Sequence, residues 1–164
     1  MNPAVTAALL AAGIAAAALA GAWYMQLVWG LQPCELCLKQ RYAYYAIVPL
    51  GLLLALAGSV APRGLLVAGL VLIALAALGN AGLGVYHAGV EWGFWAGPTE
   101  CTGPVGNLGS ASSLLERLDS VKVVRCDEVQ FRFLGLSLAG YSVLISLLIA
   151  AIAAWGIRGT ASKA

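Results

Sequence analysis

The first 34 residues of the chain contain no Asp, Glu, Lys or Arg. A helix that crosses a bilayer needs roughly 20 mostly apolar residues. Residues 4–29 supply them, with Trp23 and Trp29 near one end as interfacial anchors. Residues 18–21, Ala-Leu-Ala-Gly, resemble a signal-peptide cleavage site, but no Lys or Arg precedes them and the apolar stretch is too long for a signal peptide. We therefore expect a retained transmembrane helix.

The rest of the chain is also apolar and has few charged residues. Hydrophobic residues make up 62% of the sequence and charged residues 10%, whereas about a quarter of the residues in a soluble domain are charged. A chain with so few polar residues cannot cover a globule with polar surface, so we expect the lipid bilayer to be its solvent. The net charge of +2 and the lack of Lys/Arg-rich runs give no indication of nucleic-acid binding.

Three further apolar stretches follow, at about residues 42–60, 65–86 and 134–157. A short loop at about 30–41, a turn at Arg63 and a long loop at about 87–133 separate them, and the long loop holds six of the seven acidic residues. The sequence predicts one membrane domain over residues 1–164. Its predicted fold is an all-α integral membrane protein, a four-transmembrane-helix bundle with a short first and a long second extracytoplasmic loop.

The number of predicted helices indicates on which side of the membrane the cysteines lie. With four spans, both termini lie on one side of the membrane and the two loops lie on the other. All four cysteines, Cys34, Cys37, Cys101 and Cys126, fall in or beside these loops, so they can meet at one membrane face. Lys and Arg are denser on the side of the termini, which predicts that the termini are cytoplasmic. The cysteines then face an oxidising compartment, where disulfides form.

The segment Pro33-Cys34-Glu35-Leu36-Cys37 carries the clearest chemical signal. Pro33 favours a helix start, which puts Cys34 near a helix N-terminus, where a thiolate is stabilised. Two cysteines at this spacing can form an exchangeable disulfide. Arg41 follows on the same predicted helix face, where it can stabilise a Cys37 thiolate or bind a carbonyl ligand. Anchoring at the lipid headgroups is an equally acceptable reading of Arg41.

Other uses of these cysteines are less well supported. Covalent haem requires His directly after the second cysteine, and Leu38 stands there. Zinc sites usually offer two close cysteine pairs or added histidines, so we expect no metal. Cys101 and Cys126 form either a structural disulfide, which contributes roughly 3 kcal/mol in the chain-entropy model, or a redox pair. The sequence leaves both readings open.

Two further features belong to the predicted loops. His87, the single histidine, ends the third apolar stretch on the same membrane face as Arg41. It is either an interfacial residue or a member of the site. In the long loop, residues 113–116, Ser-Leu-Leu-Glu, form a capping box and predict a short amphipathic helix. That helix lies either on the membrane or against the bundle.

Taken together, these motifs resemble the DsbB family of disulfide-bond-forming membrane proteins. The shared pattern consists of four spans, Cys-x-x-Cys-x-x-x-Arg from Cys34 to Arg41, Tyr86-His87 at the end of the third helix, and two cysteines in one long loop. The chain departs from many members at the start of the fourth helix, where Ala139 and Tyr141 replace Pro and Trp.

The resemblance implies an enzyme, a protein dithiol:quinone oxidoreductase of the bacterial inner membrane with periplasmic cysteine loops. A reduced periplasmic oxidase of the DsbA type would attack Cys101 of a Cys101–Cys126 disulfide. Cys126 would then attack Cys34 and release Cys37.

The resemblance also implies that Cys37 passes electrons to ubiquinone, with menaquinone as a possible substitute. Arg41 and His87 would assist at the quinone site. Two alternatives remain. A vitamin K epoxide reductase-like quinone reductase shares this chemistry, but its Cys-x-x-Cys lies late in the chain. A four-span scaffold with structural disulfides leaves Cys34, Cys37 and Arg41 unexplained.

Overall fold

A computed structural model describes residues 2–58, 60–98 and 125–162. Within these ranges the protein forms four long helices and one small hairpin. The elements are α1 (Pro3–Val28), α2 (Glu35–Ala57), α3 (Arg63–Glu91), β1 (Arg132–Phe133), β2 (Leu136–Ser137) and α4 (Leu138–Ala161). The two strands pair in antiparallel fashion.

Local sequence explains where the helices begin. Asn2 caps α1 by accepting a hydrogen bond from the Ala4 backbone N–H at 3.1 Å. Ser137 caps α4 in the same way, with the Gly140 N–H as donor at 3.3 Å. Such caps satisfy backbone donors that the first helical turn leaves unpaired. The cap of α2 is a cysteine and belongs to the site described below.

Small residues allow the helices to pack closely. A Cβ placed on Gly51 of α2 would lie 2.7 Å from the Ala8 carbonyl oxygen of α1, and one placed on Gly84 of α3 would lie 2.7 Å from a methyl group of Val143 on α4. Close approach of this kind is typical of helices that associate in lipid. The helices therefore pack around a core that is rich in alanine and leucine.

Polar side chains also join the helices. Asn80 on α3 donates a hydrogen bond to Ser146 Oγ on α4 at 3.0 Å, and Ser146 Oγ lies 3.0 Å from the Tyr44 hydroxyl on α2. The sequence predicts that Asn80 bonds across helices, and this prediction is confirmed. Buried hydrogen bonds of this type fix the relative rotation of neighbouring helices in an apolar medium.

The outer surface is apolar. Leu27, Leu53 and Leu56 are 73%, 62% and 80% exposed, respectively. Exposed apolar surface on this scale is unfavourable in water, but it suits contact with lipid. Three helices, Pro3–Val28, Arg63–Glu91 and Leu138–Ala161, are long and apolar enough to cross a membrane. The chain is therefore a multi-pass membrane protein.

Two helices begin away from the starts of the predicted spans. α2 begins at Glu35, as Pro33 predicts, and therefore starts before the apolar stretch predicted near residue 42; its first turns carry Glu35, Lys39 and Arg41. Within the described part of the chain, α2 is not one of the three helices that are long and apolar enough to cross a membrane, so a fourth span stays a prediction. α4 begins at Leu138, not near residue 134, because Leu134 and Gly135 have positive φ angles of 49° and 83° and form the turn between β1 and β2.

Both loops are shorter than predicted at one end, because a neighbouring helix extends into each of them. α3 continues through His87 to Glu91, so the long loop begins later than residue 87. Cys101 and the helix predicted from Ser113 lie outside the described residues.

Candidate functional site: a buried dithiol at one end of the bundle

Cys34 and Cys37 form the centre of the site. Cys34 is the N-cap of α2, and its Sγ accepts a hydrogen bond from the Cys37 backbone N–H at 3.2 Å. The Cys34 and Cys37 side chains are also in direct hydrogen-bond contact, with their sulfur atoms 2.7 Å apart. The predicted helix start at Cys34 is confirmed. Both side chains are free thiols in this structure, close enough to form a disulfide with little movement.

His87 approaches the pair from α3. Its Nε2 lies 3.6 Å from Cys34 Sγ, and its side chain is almost completely buried. On the opposite side of the ring, the Gln40 side-chain amide donates to His87 Nδ1 at 2.8 Å. Since an amide nitrogen can only donate, Nδ1 accepts and Nε2 carries the hydrogen in the neutral ring. His87 therefore directs an N–H group at the Cys34 sulfur.

These contacts favour the ionised form of Cys34. The hydrogen bond from the Cys37 thiol is the largest cause, and it acts with His87 and the Cys37 backbone N–H against burial to lower the pKa of Cys34 from 9.0 to about 5. Cys34 precedes α2 and lies outside the membrane-spanning segments. The reduced pair is therefore best described as one thiolate on Cys34 and one thiol on Cys37.

This assignment predicts a pH dependence. Because a lowered pKa favours the thiolate, ultraviolet thiolate absorbance should persist from neutral pH downwards and fall by half at a pH of about 5. Subtracting the titration of a Cys34→Ser variant isolates the signal of Cys34. A half-loss near pH 9, the ordinary range of a thiol, would contradict the assignment.

Cys126 lies beside the pair. It is 2% exposed and belongs to the same buried cluster as Cys34, Leu36 and Val90. Cys126 is disulfide-bonded. Two of the three described cysteines, one from each predicted loop, are thus buried together at one end of the bundle. The even number of predicted spans led us to expect such a meeting.

Arg41 occupies the next turns of α2. Its guanidinium donates to Gln26 Oε1 at 2.7 Å and to the Ala22 carbonyl oxygen at 3.4 Å, and it stacks over Trp23 with its centre 5.7 Å from the ring. Among the described residues, this guanidinium makes its hydrogen bonds to α1 and not to Cys37. The side chain therefore links α2 to α1 and also lines the cavity described next.

A cavity of about 720 Å³ opens beside these residues. Its polar end is lined by Cys34, Cys37, Arg41, His87 and Glu91. The remainder is largely apolar and lies between α1 and α4, with lining residues that include Ala18, Ala22, Met25, Leu138 and Ile145. The volume falls in the range of small-molecule sites, which combine apolar walls with a few polar groups.

Two residues of the site were not singled out from the sequence. Gln40 is buried and fixes the tautomer of His87, but its position in the sequence gives no sign of this contact. Glu91 lies one helical turn after His87, and its Oε1 is 3.9 Å from His87 Nε2. The four-residue spacing was the available signal for Glu91.

The cluster also has to be weighed as a metal site. The ligand atoms of Cys34, Cys37 and His87 all lie within 4.8 Å of one another. Two thiolates on a tetrahedral zinc ion are about 3.8 Å apart, given a Zn–S distance of about 2.3 Å. The sulfur separation of 2.7 Å fits a dithiol better than a zinc site. The expected absence of a metal stays a prediction.

A dithiol whose Cys34 is buried against a third, disulfide-bonded cysteine is the arrangement expected of a membrane protein of thiol–disulfide exchange. Residues 4–156 match the family described as Disulfide bond formation protein DsbB. The chain belongs to the DsbB family and is a disulfide bond formation protein.

Individual relatives agree with the family match. The chain is 38% identical to Disulfide bond formation protein B of Marinobacter nauticus, over 83% of this chain and 82% of the relative. It is 34% identical to the protein of the same description from Verminephrobacter eiseniae, over 96% and 85% of the two chains. The corresponding protein of Xanthomonas euvesicatoria pv. vesicatoria is also 34% identical, over 77% and 74%.

Proposed function

We propose that this protein is a dithiol:quinone oxidoreductase that reoxidises a periplasmic thioredoxin-like oxidase of the DsbA type. The observation that carries the proposal is the burial of Cys34 and Cys126 in one cluster, next to a large cavity that Cys34 lines. Two cysteine pairs can exchange disulfides only if their sulfur atoms can approach. The cavity beside Cys34 and Cys37 provides a place for an electron acceptor.

Electrons pass in three transfers: from the partner to the cysteine pair of the long loop, from that pair to Cys34 and Cys37, and from there to a quinone. A thiolate of the reduced partner attacks Cys101 in a Cys101–Cys126 disulfide, and Cys126 leaves as a thiolate. The second partner thiol displaces Cys101 and completes the partner's disulfide, so both electrons now lie on Cys101 and Cys126. These two thiols then reduce a Cys34–Cys37 disulfide by the same exchange, starting with attack of Cys126 on Cys34. Each exchange forms one S–S bond and breaks one, and the electron count is conserved.

The last step is the transfer of two electrons from the Cys34–Cys37 pair to a membrane quinone. A bound quinone supplies the two-electron acceptor, and ubiquinone and menaquinone both have the apolar ring and tail that the walls between α1 and α4 suit. Arg41 supplies guanidinium N–H groups, which can donate to a carbonyl oxygen. His87 holds its Nε2–H toward Cys34.

The arrangement in the membrane belongs to the same proposal. α2 forms a fourth span from about Tyr42 onward, so that the termini are cytoplasmic and both cysteine loops are periplasmic. The apolar sector from Tyr42 to Ala57 in α2, with Leu53 and Leu56 exposed, supports this topology. In this topology the dithiol faces the compartment in which secreted proteins acquire disulfides.

Trapping of the partner tests the proposed exchange. A DsbA-type partner that lacks its second active-site cysteine should form a stable mixed disulfide with this protein, because the bond to Cys101 can no longer be resolved. Nonreducing electrophoresis measures the adduct. The Cys101→Ser variant should form none, whereas Cys34→Ser, a matched substitution, should form it at the wild-type level. A wild-type protein that yields no adduct would support the scaffold alternative.

A further inference from the structure

The segment that carries Cys126 forms part of the cavity wall. We call residues 125–133 the strap; it ends with β1. The strap lies at the end of the bundle where α1 ends and α2 begins, and several of its residues line the cavity: Arg125, Glu128, Gln130, Phe131 and Phe133. The strap is therefore a wall of the site as well as the connection that leads to α4.

Three contacts hold the strap across the bundle. Cys126 is buried in the same cluster as the N-cap of α2. The ring of Phe131 lies against that of Trp29, the C-cap of α1, with ring centres 5.5 Å apart. The Tyr141 hydroxyl of α4 donates a hydrogen bond to the Phe133 carbonyl oxygen at 3.0 Å. The strap thus joins α2, α1 and α4 at the end where the site lies.

The strap crosses the bundle where α1 and α4 are apart. At the opposite end the two helices touch, since a Cβ placed on Gly159 of α4 would lie 3.0 Å from the Pro3 side chain of α1. Near the site the cavity separates them, with Ala22 and Met25 on one wall and Ile145 on the other. This wedge gives an apolar molecule a path from the lipid, and the strap lies across the path from water.

An aromatic pair occupies the aqueous end of the cavity. Phe131 is half-buried, whereas the other strap residues that line the cavity are exposed. Trp29 lines the same cavity from α1 and is 52% exposed, as expected for a ring with one side on the cavity and one side toward solvent. Two aromatic rings in contact cover a large apolar area. Water therefore meets these rings before it meets the Cys37 thiol, which lines the cavity below them.

We propose that Trp29 and Phe131 close the aqueous end of the cavity, so that molecules reach Cys37 from the lipid and not from water. The ligands admitted are uncharged, apolar molecules that dissolve in the bilayer, and charged water-soluble oxidants are kept away from the dithiol. Contact between Phe131 and a quinone rests on the proposed function, whereas the shielding of Cys37 does not.

Thiol modification tests the shielding without a quinone. In a Cys34→Ser background, Cys37 is the free thiol that remains in the described part of the chain. Its rate of modification is measured with a negatively charged methanethiosulfonate reagent and with uncharged N-ethylmaleimide. The ratio of the two rates cancels changes in the intrinsic reactivity of the thiol. Adding Phe131→Ala should raise the charged-to-uncharged ratio by about 10-fold, as expected when local protection is lost.

Two further variants assign the effect to the aromatic pair. Trp29→Ala removes the other ring and should raise the ratio in the same direction, so it decides the matter if Phe131→Ala loses its helical content. Phe94→Ala is the matched control. Phe94 is 68% exposed, contacts the ring of Trp92 and does not line the cavity, so its ratio should stay within about twofold of the parent protein. An unchanged ratio in folded Phe131→Ala and Trp29→Ala would overturn the inference.

Turnover gives a second readout. Loss of an aromatic contact with the bound quinone should raise its KM by about 3- to 10-fold in Phe131→Ala, with a smaller effect on kcat because the reacting sulfur atoms are retained. An unchanged KM would overturn the contact between Phe131 and the quinone. Dithiol-dependent quinone reduction by the wild type would still support the proposed function if the labelling ratio did not change, so the two proposals can fail separately.

Discussion

Replacing Cys37 with Ser should reduce dithiol-dependent quinone reduction by on the order of 10³-fold or more, as expected when a group that forms the reacting bond is removed. Cys37 is half-buried at the polar end of the cavity, with its sulfur 2.7 Å from Cys34 Sγ. Without Cys37, Cys34 has no neighbouring thiol with which to form a disulfide, so two electrons cannot pass to the quinone together. The measurement is the decrease in quinone absorbance with a reduced partner as donor.

The same variant separates chemistry from folding. A serine is close in size to cysteine, so Cys37→Ser should retain helical content and thermal stability in detergent. Leu38→Ser, one position further on α2, changes an exposed residue that does not line the cavity and should turn over within about twofold of wild type. Normal quinone reduction by Cys37→Ser would show that electrons leave by another route.

Replacing Arg41 with Ala should lower kcat/KM for quinone by about 10- to 100-fold, which corresponds to about 1.4–2.8 kcal/mol of transition-state stabilisation. Arg41 lines the polar end of the cavity and is the basic side chain of α2 that can donate to a quinone carbonyl from there. The loss also removes the hydrogen bond to Gln26, so part of the effect should appear as weaker packing of α1 on α2. Initial rates over a range of quinone concentrations measure both parameters.

Two comparisons assign the effect to the site. Arg41→Lys keeps the charge but not the planar group of donors, so its kcat/KM should lie between those of Ala and wild type. Lys39→Ala removes a positive charge two residues earlier, at a side chain that pairs with Glu35 at 3.6 Å, and should change the rate less than twofold. An unchanged apparent affinity for quinone in Arg41→Ala would count against the assigned role.

Much of the fold follows from hydropathy and capping. The first helix was predicted at residues 4–29 and spans Pro3–Val28, because a long uncharged apolar stretch leaves few alternatives. The start of α2 was missed by hydropathy, since the turn that carries Glu35 and Lys39 is helical but polar. The start of α4 was displaced because an apolar run, Phe133–Leu136, forms a turn with positive φ angles. Hydropathy does not distinguish such a turn from a helix.

The site was predicted less completely than the fold. Pro33 and the cysteine spacing predict the cap at Cys34, because both are local features. The contact of His87 with Cys34 joins residues 53 positions apart, and the one between Gln40 and His87 joins residues 47 apart. Such contacts depend on how α2 and α3 pack, which the sequence pattern does not specify. Arg41 likewise bonds to α1, a partner that a single helix face cannot predict.

The most direct test of the proposed function is quinone reduction by the purified wild-type protein in detergent. A reduced DsbA-type partner serves as the electron donor and a soluble ubiquinone analogue as the acceptor, and a menaquinone analogue is tested in parallel. We expect a loss of quinone absorbance that requires both the protein and the partner, with one partner disulfide formed for each quinone consumed. Folded protein with its Cys126 disulfide intact that reduces neither quinone would contradict it.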